Sequence, residues 1–526
     1  MSGFLRILSI FITCTQTAVM NLAFATIFLT VASAELQQPA PNIEITKQWS
    51  LLAYNFPWDF PANDLEFYNP ENVVATGIAV SDDRLFLATP RLFSGVPATI
   101  SSVPRSNIGD SPILEAYPNW HYHGAGKKEY NCSEIGLVSV YRMKIDSCNR
   151  LWALDAGVSR SLEDFEVTCP PKILVIDLHT DQVVRRIDFP REVIRGETLY
   201  TNMVIDETRS KPENHCDDVY IYITDTVEPA IVVYDSGRDL TWRLSHPAMY
   251  PDPNFAQSNI LGHRFTLMDG IVGMAFDAKA GIVYFQPLAT DRLFSISTAA
   301  LRAGPLPFGV ELPVKLVGKK SSQGIGLEVS PVDGTIFFSP MTETAVAKWN
   351  PNTNHQRVLA YDVEQFQFVA DMRIQARDPS SLYVLSSKFH RFFLKNLEPR
   401  EVNTRILRIE GILPTKASPL ISNHFGGYVA QAPTKAGTYL QNTYFSGTSQ
   451  PYQYEAVGVI NKAVRNPFSS LNTGERPEPV SHYRGEHTKY GLLGNENYYD
   501  AVNQGDFNGL RITKSVAYNT STLHEN

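Results

Sequence analysis

The chain has 526 residues, of which 43% are hydrophobic and 19% are charged, and its formal net charge is −8. This composition is typical of a globular protein with an extensive core. Because the chain is acidic and shows no basic stripe, we expect no nucleic-acid partner.

The first 34 residues predict a signal peptide, starting at Met1 or at Met20. Arg6 supplies a basic start, an uncharged apolar run follows, and Ala32–Ala34 is an A-x-A cleavage signal. No later stretch reaches the roughly 18 apolar residues of a spanning helix. We therefore expect a secreted, extracellular protein with no membrane contact after cleavage.

Six hairpin patterns follow along the chain. In each, an apolar strand ends in a turn bearing Asp, Asn, Ser or Gly, and a second apolar strand follows at once. The starts lie roughly 45 to 70 residues apart, a spacing typical of propeller blades with insertions, at Gly77, Val140, Met203, Val272, Gly326 and Ala370.

Weaker strand patterns after each hairpin complete a set of four strands. The sequence therefore predicts an all-β fold over residues 35–410, a six-bladed β-propeller with four-stranded blades. We expect the blades at residues 73–118, 134–190, 200–244, 269–319, 322–362 and 365–410. A strand within residues 47–56 can pair with one at 404–409 and close the ring, which removes an exposed sheet edge.

The chain changes character after about Gly411. Gly, Asn, Ser, Thr and Pro dominate, and residues 411–526 contain 10 of the 24 tyrosines. Low hydrophobicity with scattered aromatic residues predicts a disordered C-terminal tail, with a second folded domain as the alternative.

Four cysteines remain after signal cleavage, which suggests two disulfides with three possible pairings. They are Cys132, Cys148, Cys169 and Cys216. A metal site is the rival interpretation, but the chain has no C-x-x-C motif, so we expect no metal. Asn131 and Asn519 begin glycosylation sequons, which suits a secreted protein.

Several segments resemble the yellow/major royal jelly protein family of insects. The resemblance covers about residues 45–410 and is carried by YRMKIDSCNRLWALDAG from Tyr141, TPRLFSGVPATI from Thr89, LEAYPNWH from Leu114 and FQPLATDRLFSISTAAL from Phe285. It implies a secreted six-bladed propeller. Members of this family variously act in cuticle and melanin pigmentation, isomerise dopachrome, bind biogenic amines in the axial cavity, or serve as food or eggshell proteins. The fold does not choose among these roles.

Strand direction selects one disulfide pairing. Strands within a blade run up and down, so successive connections alternate between the two faces of the ring. Cys132 and Cys169 fall on one face, and Cys148 and Cys216 fall on the other. A Cys132–Cys148 bond would span a full strand, far beyond the Cα separation that a disulfide allows. We therefore predict Cys132–Cys169 and Cys148–Cys216.

Candidate ligand-binding residues lie where the inner strands end. Carboxylates there can bind an ammonium group or shuttle a proton, although turn capping is the simpler role for each. Asp269 and Asp371 are the candidates, together with Thr201, Asn202 and Phe366 at equivalent positions. Asp155 and Asp225 belong to the same acidic set, and core packing is the alternative for Phe366.

The chain shows no nucleophile–base, zincin, P-loop or dinucleotide motif, so we expect no cofactor. The favoured hypothesis is a secreted pigmentation protein that binds a small aromatic amine or indole in the axial cavity. The alternatives are a dopachrome isomerase that uses an axial carboxylate or histidine as base, and an extracellular structural, eggshell or storage protein. Cuticle matrix is a further possible partner.

Overall fold

The computed structural model describes residues 41–61, 63–106, 110–124, 131–133, 136–211, 216–413, 444–446 and 517–518. The predicted signal peptide, Asn519 and most of the predicted tail lie outside these residues. The predicted six-bladed propeller of four-stranded blades is confirmed.

The strands follow one another blade by blade. The N-terminal strand is β1 (Ile43–Trp49), and blade one contains β2 (Gly77–Val80), β3 (Arg84–Ala88), β4 (Ile100–Pro104) and β5 (Glu115–Ala116). Blade two contains β6 (Val140–Ile145), β7 (Arg150–Asp155), a small loop hairpin of β8 (Val158–Ser159) and β9 (Glu166–Val167), then β10 (Lys172–Asp177) and β11 (Gln182–Asp188). Blade three contains β12 (Tyr200–Asp206), β13 (Tyr220–Asp225), β14 (Ala230–Asp235) and β15 (Leu240–Leu244).

A second small hairpin, β16 (Gln257–Ile260) and β17 (His263–Leu267), precedes blade four. Blade four contains β18 (Ile271–Asp277), β19 (Ile282–Pro287), β20 (Arg292–Ser297) and β21 (Lys315–Lys319). Blade five contains β22 (Leu327–Val329), β23 (Ile336–Phe338), β24 (Ala345–Asn350) and β25 (His355–Tyr361). Blade six contains β26 (Val369–Gln375), β27 (Asp378–Ser387) and β28 (Thr404–Glu410).

Helices are short and lie in the connections. The α-helices among the described residues are α1 (Thr298–Arg302) and α2 (Phe389–Phe393). Single 3-10 turns occur at Pro70–Asn72, Trp120–His123, Arg191–Val193, Pro247–Met249 and Pro253–Phe255. None of the helices that the structure describes is long and apolar enough to cross a membrane.

The N-terminal strand closes the ring. β1 pairs antiparallel with β28, from Ile43 opposite Ile409 to Trp49 opposite Thr404, and becomes the outermost strand of blade six. The pairing partner was predicted correctly, but the strand begins four residues before the predicted run at Lys47 and ends at Trp49. β1 therefore covers the outer edge of β28 and completes the four strands of blade six.

Burial decreases from the axis outward. Every residue of β13 and β14 is buried, as expected for strands that other blades cover on both faces. The outer strand β11 alternates between exposed and partly buried residues. The sequence shows part of this gradient, because the first two strands of a blade read as apolar runs and the last strand alternates more.

The hydrophobic core is divided among the interfaces between blades. Trp152 of blade two packs with Tyr200 of blade three, and Phe285 of blade four packs in the same cluster as Tyr222 of blade three. A larger cluster around Trp49 and Tyr383 joins blade six to blade one. Because each sheet buries its faces only against its neighbours, no blade has a core of its own.

Two further strands extend existing sheets, one at the outer strand of blade five and one at the small hairpin that precedes blade four. β29 (Tyr444–Ser446) pairs with β25, and β30 (Ala517–Tyr518) pairs with β17 at Thr266 and Leu267. The rest of the chain after Ile412-Leu413 lies outside the described residues, so the predicted disorder of the tail stays a prediction.

Two disulfides join the cysteines in the pairs expected from strand direction. Cys132 and Cys169 have Cα atoms 5.6 Å apart, and Cys148 and Cys216 have Cα atoms 6.2 Å apart. Both separations lie within the range of protein disulfides. The second bond links the first turn of blade two to blade three, so it connects neighbouring blades directly.

Candidate functional site

A cavity of about 80 Å³ lies on the propeller axis. The first strands of neighbouring blades contact one another around the whole ring, so their side chains surround this axis. Each blade contributes a lining residue at or just before the start of its first strand: Thr76, Tyr141, Thr201, Val272, Ile325 and Ala370. One water molecule needs about 10–15 Å³ by this measure, so several waters or a small planar ring can enter.

β-Bulges turn four of these side chains toward the cavity. In β6, β12, β18 and β26 the pairing register skips one residue near the strand start. The skipped residues are Tyr141, Thr201, Val272 and Ala370, and all four line the cavity. A bulge re-aims a side chain without ending the strand, so the same local irregularity shapes the site in four blades.

Asp269 provides a carboxyl group with an unusual setting. It lines the cavity just before β18, and its Oδ1 has no hydrogen-bond partner among the described residues. Desolvation by burial raises the pKa of Asp269 to about 7. The carboxyl therefore changes between its neutral and ionised forms near neutral pH.

Hydroxyl groups form the polar part of the remaining wall. The Tyr141 hydroxyl lies 2.8 Å from Ser161 Oγ, and Thr201 Oγ1 is hydrogen-bonded to Thr226 Oγ1. Burial raises the pKa of Tyr141, and the Asp269 carboxylate adds a smaller rise, so the phenol keeps its proton. These groups can donate hydrogen bonds to an oxygen atom inside the cavity.

Aromatic side chains form one apolar side of the cavity. The rings of Phe368 and Phe389 are stacked with centroids 4.8 Å apart, and both residues line the cavity. Phe368 has a φ of 56°, a left-handed conformation that is unusual for a bulky residue. The strain is held by the surrounding core, and it fixes a flat aromatic face beside the cavity.

The β16–β17 hairpin reaches this side of the propeller. Leu267 lines the cavity, and the Phe265 ring lies 6.3 Å from Phe368 and 6.4 Å from Phe393. The hairpin belongs to the connection between blades three and four but packs against the α2 region of blade six. It therefore covers part of the axial opening.

Two of the predicted ligand-binding residues tie blades together. Asn202 donates through Nδ2 to the carbonyl oxygen of Val272 in blade four, at 2.9 Å. Asp371 accepts from the Ile78 amide of blade one, at 2.9 Å. Both residues directly follow a bulged position. Of the five predicted ligand contacts, Thr201 and Asp269 line the cavity, whereas Asn202 and Asp371 do not.

Phe366 lies in the core between blades five and six. It is fully buried and clusters with Phe337, Met372 and Leu382, away from the cavity lining. Its packing matches the alternative weighed for it from the sequence. No observation tests the ligand contacts predicted for Phe366, Asn202 and Asp371, so these contacts stay predictions. The packing of Phe366 and the hydrogen bonds of the other two residues favour structural roles.

Asp155 and Asp225 are held by cations and backbone amides. Asp155 lies 2.7 Å from Lys172 Nζ and accepts from the amides of Val138 and Ser139. Asp225 lies 2.9 Å from an Arg243 nitrogen and accepts from the Leu199 amide. Both carboxylates stabilise connections between strands, which is the turn-capping role.

The sequence did not single out Tyr141, Arg142 or Phe368 as cavity residues. A bulge inserts one residue without changing the apolar pattern, so no periodicity marks the position that it turns inward. The only signal was positional, because each residue lies near the start of a first strand. Among the described residues no group of three or more His, Cys, Asp or Glu side chains is arranged to hold a metal ion.

Comparisons with known proteins identify relatives of this chain by sequence. A family model described as major royal jelly protein matches residues 138–415, which is 278 of the 526 residues. Dopaminechrome tautomerase of Drosophila melanogaster is 27% identical over 390 residues, covering 70% of this chain and 82% of that protein. Major royal jelly protein 9 of Apis mellifera is 27% identical over 384 residues, covering 69% and 86%. Protein yellow of Drosophila yakuba is 30% identical over 352 residues, covering 64% and 63%.

Proposed function

The chain belongs to the major royal jelly protein family, and from that premise we propose that it is a secreted enzyme that tautomerises a small aminochrome in its axial cavity. Aminochromes are the cyclised quinones of catecholamines, and their tautomerisation leads to dihydroxyindoles and melanin. The proposal places the protein in the pigmentation chemistry that the resemblance implied. The relative named dopaminechrome tautomerase supports it.

One observation carries the proposal, namely the setting of Asp269. Asp269 lines the axial cavity, its Oδ1 is buried without a hydrogen-bond partner among the described residues, and burial raises its pKa to about 7. A general base works best when its pKa is near the operating pH. The sequence alone shows no base in a clear setting and therefore favours ligand binding without turnover.

The conversion to a dihydroxyindole needs only proton transfers. Two C–H bonds break, one at each saturated carbon of the five-membered ring, two O–H bonds form on the two quinone oxygens, and the ring electrons rearrange, so no oxidant or reductant is consumed. Asp269 takes the first proton from carbon. The hydroxyl groups of Tyr141 and Thr201 line the same cavity and can donate to the quinone oxygen as negative charge develops there. The stacked rings of Phe368 and Phe389 offer a flat face to the indole-like ring.

A second candidate function is the binding of an aromatic amine without turnover. The same Asp269 favours it, because an ammonium group would pair with the ionised carboxylate inside an apolar cavity. Aromatic walls suit a catecholamine or an indolamine. In that case dopamine or serotonin binds tightly, and aminochromes decay only at their spontaneous rate.

The deciding experiment follows dopaminechrome spectrally with the full-length secreted protein. We expect conversion above the spontaneous rate, and we expect Asp269→Asn to reduce kcat by about 10²–10⁴-fold, the usual contribution of a general base. Asp277→Asn is the matched control, because it makes the same change at the other end of β18. Conversion at the spontaneous rate, together with tight dopamine binding, would instead establish the amine-binding function.

Secretion is tested on the same material. N-terminal sequencing of protein from the medium should begin near Glu35, after the predicted cleavage signal at Ala32–Ala34. A mature chain that retains residues before Met20 would contradict cleavage.

A further inference from the structure

A second cavity lies beside the axial cavity, and most of its charged residues are cationic. Its volume is about 310 Å³, compared with about 80 Å³ for the axial cavity. Since one water molecule needs about 10–15 Å³ by this measure, the second cavity has room for an organic molecule. The charged residues of its wall are Lys388, Arg391, Arg405, Glu364 and Glu401, and we call this cavity the basic pocket.

The basic pocket and the axial cavity are neighbours that share two structural elements. The β16–β17 hairpin contributes Leu267 to the axial cavity and His263 to the basic pocket. In the same way, α2 contributes Phe389 to the first and Arg391 to the second. The rings of His263 and His390 lie 5.6 Å apart where the hairpin packs against α2. Among the described residues none lines both cavities, so the basic pocket is a separate site.

The cations of the basic pocket outnumber its carboxylates by three to two. Glu401 pairs with Lys388 Nζ at 2.7 Å and with an Arg391 nitrogen at 2.5 Å. These are the two ion pairs that the described residues form in the pocket, and Arg405 takes part in neither. The Lys388 side chain is 5% exposed, whereas that of Glu401 is 47% exposed. The positive charge of this pair therefore lies deep in the pocket, and the carboxylate that compensates it lies toward the solvent.

Arg405 is the cation that the pocket leaves without an ion pair among the described residues. It lies in β28, and its Nη1 donates a hydrogen bond to the Glu364 carbonyl at 2.8 Å. Its Nε is buried and has no hydrogen-bond partner within the described part of the chain. Burial lowers the pKa of Arg405, although the carboxylates of Glu364 and Asp362 oppose this effect. A positive charge that is partly removed from water is costly, and an anion beside it would reduce that cost.

We infer that the basic pocket is a second ligand site, which takes a small organic anion with its oxyanion group against Arg405 and Lys388. A guanidinium offers N–H donors in a planar fork that matches a carboxylate, sulfate or phosphate group, and the ammonium adds a compact charge. Leu261 and Val402 also line the pocket and offer an apolar surface to the rest of the ligand. The inference does not rest on the proposed function, because no residue of the axial cavity takes part.

The test titrates benzoate, phenyl sulfate and phenyl phosphate calorimetrically into the full-length protein at neutral pH and low salt. We expect saturable binding of at least one of them at millimolar concentration or below, and weaker binding as NaCl is added, because salt screens the charges. The order of the three affinities assigns the class of oxyanion. Neutral benzyl alcohol should bind about 10-fold more weakly or worse, the usual effect of losing a charged hydrogen bond. Equal binding of benzyl alcohol, or no saturable binding of any anion, would overturn the inference.

A pair of arginine variants then locates the site. Arg405→Gln should weaken binding of the anion by about 10-fold or more. Arg264→Gln is the matched control, because it removes the same charge from an exposed residue that follows His263 and does not line the pocket. It should leave the affinity unchanged. Equal losses in the two variants would show that net charge alone matters and would overturn the site.

A third variant keeps the inference testable if Arg405→Gln fails to fold. Glu364→Gln removes one carboxylate from the wall of the basic pocket. The anion should then bind several-fold more tightly, because less negative charge opposes it. Unchanged or weaker binding by this variant would contradict the inference.

The axial cavity also has a cation in its wall, Arg142, so Asp269→Asn serves to exclude it as the binding site. A probe in the axial cavity should bind more tightly once this carboxyl cannot ionise, whereas a probe in the basic pocket should bind with unchanged affinity. Tighter binding by Asp269→Asn with no effect of Arg405→Gln would place the anion in the axial cavity and overturn the inference. Turnover of dopaminechrome without anion binding would reject the basic pocket alone, and anion binding without turnover would reject the tautomerase alone.

Discussion

Blades two and three hold their axial carboxylates differently from blade four. Asp155 pairs in register with Val140, and Asp225 pairs with Tyr200, so both carboxylates end the second strand of their blades. At the corresponding position of blade four, Pro287 lies opposite Ile271. The carboxylate of blade four is Asp269, which precedes the first strand instead of ending the second.

The three carboxylates differ in whether a cationic side chain pairs with them. Asp155 has Lys172 at 2.7 Å, and Asp225 has Arg243 at 2.9 Å, whereas Asp269 forms no ion pair in the parts of the chain that are described. Burial would raise the pKa of Asp155, but Lys172 and the surrounding amides outweigh it and lower the pKa. At Asp225 burial outweighs Arg243 and raises the pKa. The cation beside the carboxylate, rather than the direction of its pKa shift, therefore separates blades two and three from blade four.

Removing the cation from a paired carboxylate should have the largest effect. Lys172→Met leaves Asp155 charged and fully buried without its ion-pair partner, so the free energy of unfolding should fall by about 3–5 kcal/mol. Denaturant unfolding measures the loss. The double variant Lys172→Met with Asp155→Asn should recover part of it, and a single variant as stable as the unmodified protein would show that the pair is dispensable.

Removing the unpaired carboxylate should raise the free energy of unfolding instead of lowering it. The folded pKa of Asp269 is about 7, well above its unfolded value of 3.8, so the folded protein loses stability relative to the unfolded chain as pH rises from about 4 to 7. Asp269→Asn should therefore unfold at higher denaturant at pH 8, with a gain of about 2–4 kcal/mol. The gain should vanish near pH 4, where both forms are neutral, and a gain that did not depend on pH would contradict the ionisation argument.

The pH dependence of turnover is the smallest of the three effects. A base with a pKa of about 7 is active only when ionised, so kcat/KM should rise roughly 10-fold between pH 6 and pH 8 and then level off. The spontaneous decay of the aminochrome at each pH must be subtracted. A profile that falls as pH rises through 7 would mean that the protonated carboxyl is the active form, and Asp269 would then act as an acid.

The architecture was predictable from sequence because it repeats. Six hairpins at blade-like spacing predicted the blades, and β1 paired with β28 as expected, although it lies four residues earlier than the apolar run suggested. Cysteine pairing followed from strand direction alone. These features depend on the spacing of the hairpins and on the alternating direction of the strands, and both can be read from the sequence.

The cavity was predictable only in part. Thr201 and Asp269 line it, but a one-residue bulge in β12 turns Asn202 toward blade four, and the bulge in β26 does the same to Asp371 toward blade one. A bulge changes which of two adjacent side chains faces the axis, and the apolar pattern is the same either way. Whether Asp269 has an ion-pair partner depends on which cationic side chains the neighbouring segments place beside it. That placement is set by how the blades pack in the ring, so the sequence pattern does not show it.

Ring closure by β1 has a consequence for biosynthesis. Asn42 and Glu410, which are hydrogen-bonded at the closing seam, are 368 residues apart in the chain. At a translation rate of about 5–20 residues per second, the first strand made waits on the order of 20–70 seconds for its partner to be synthesised. Blade six is therefore the last to be completed, and until then the nascent protein carries an unfilled strand position at one end and an unpaired strand at the other. A chaperone that covers sheet edges would have its longest opportunity to act during that interval.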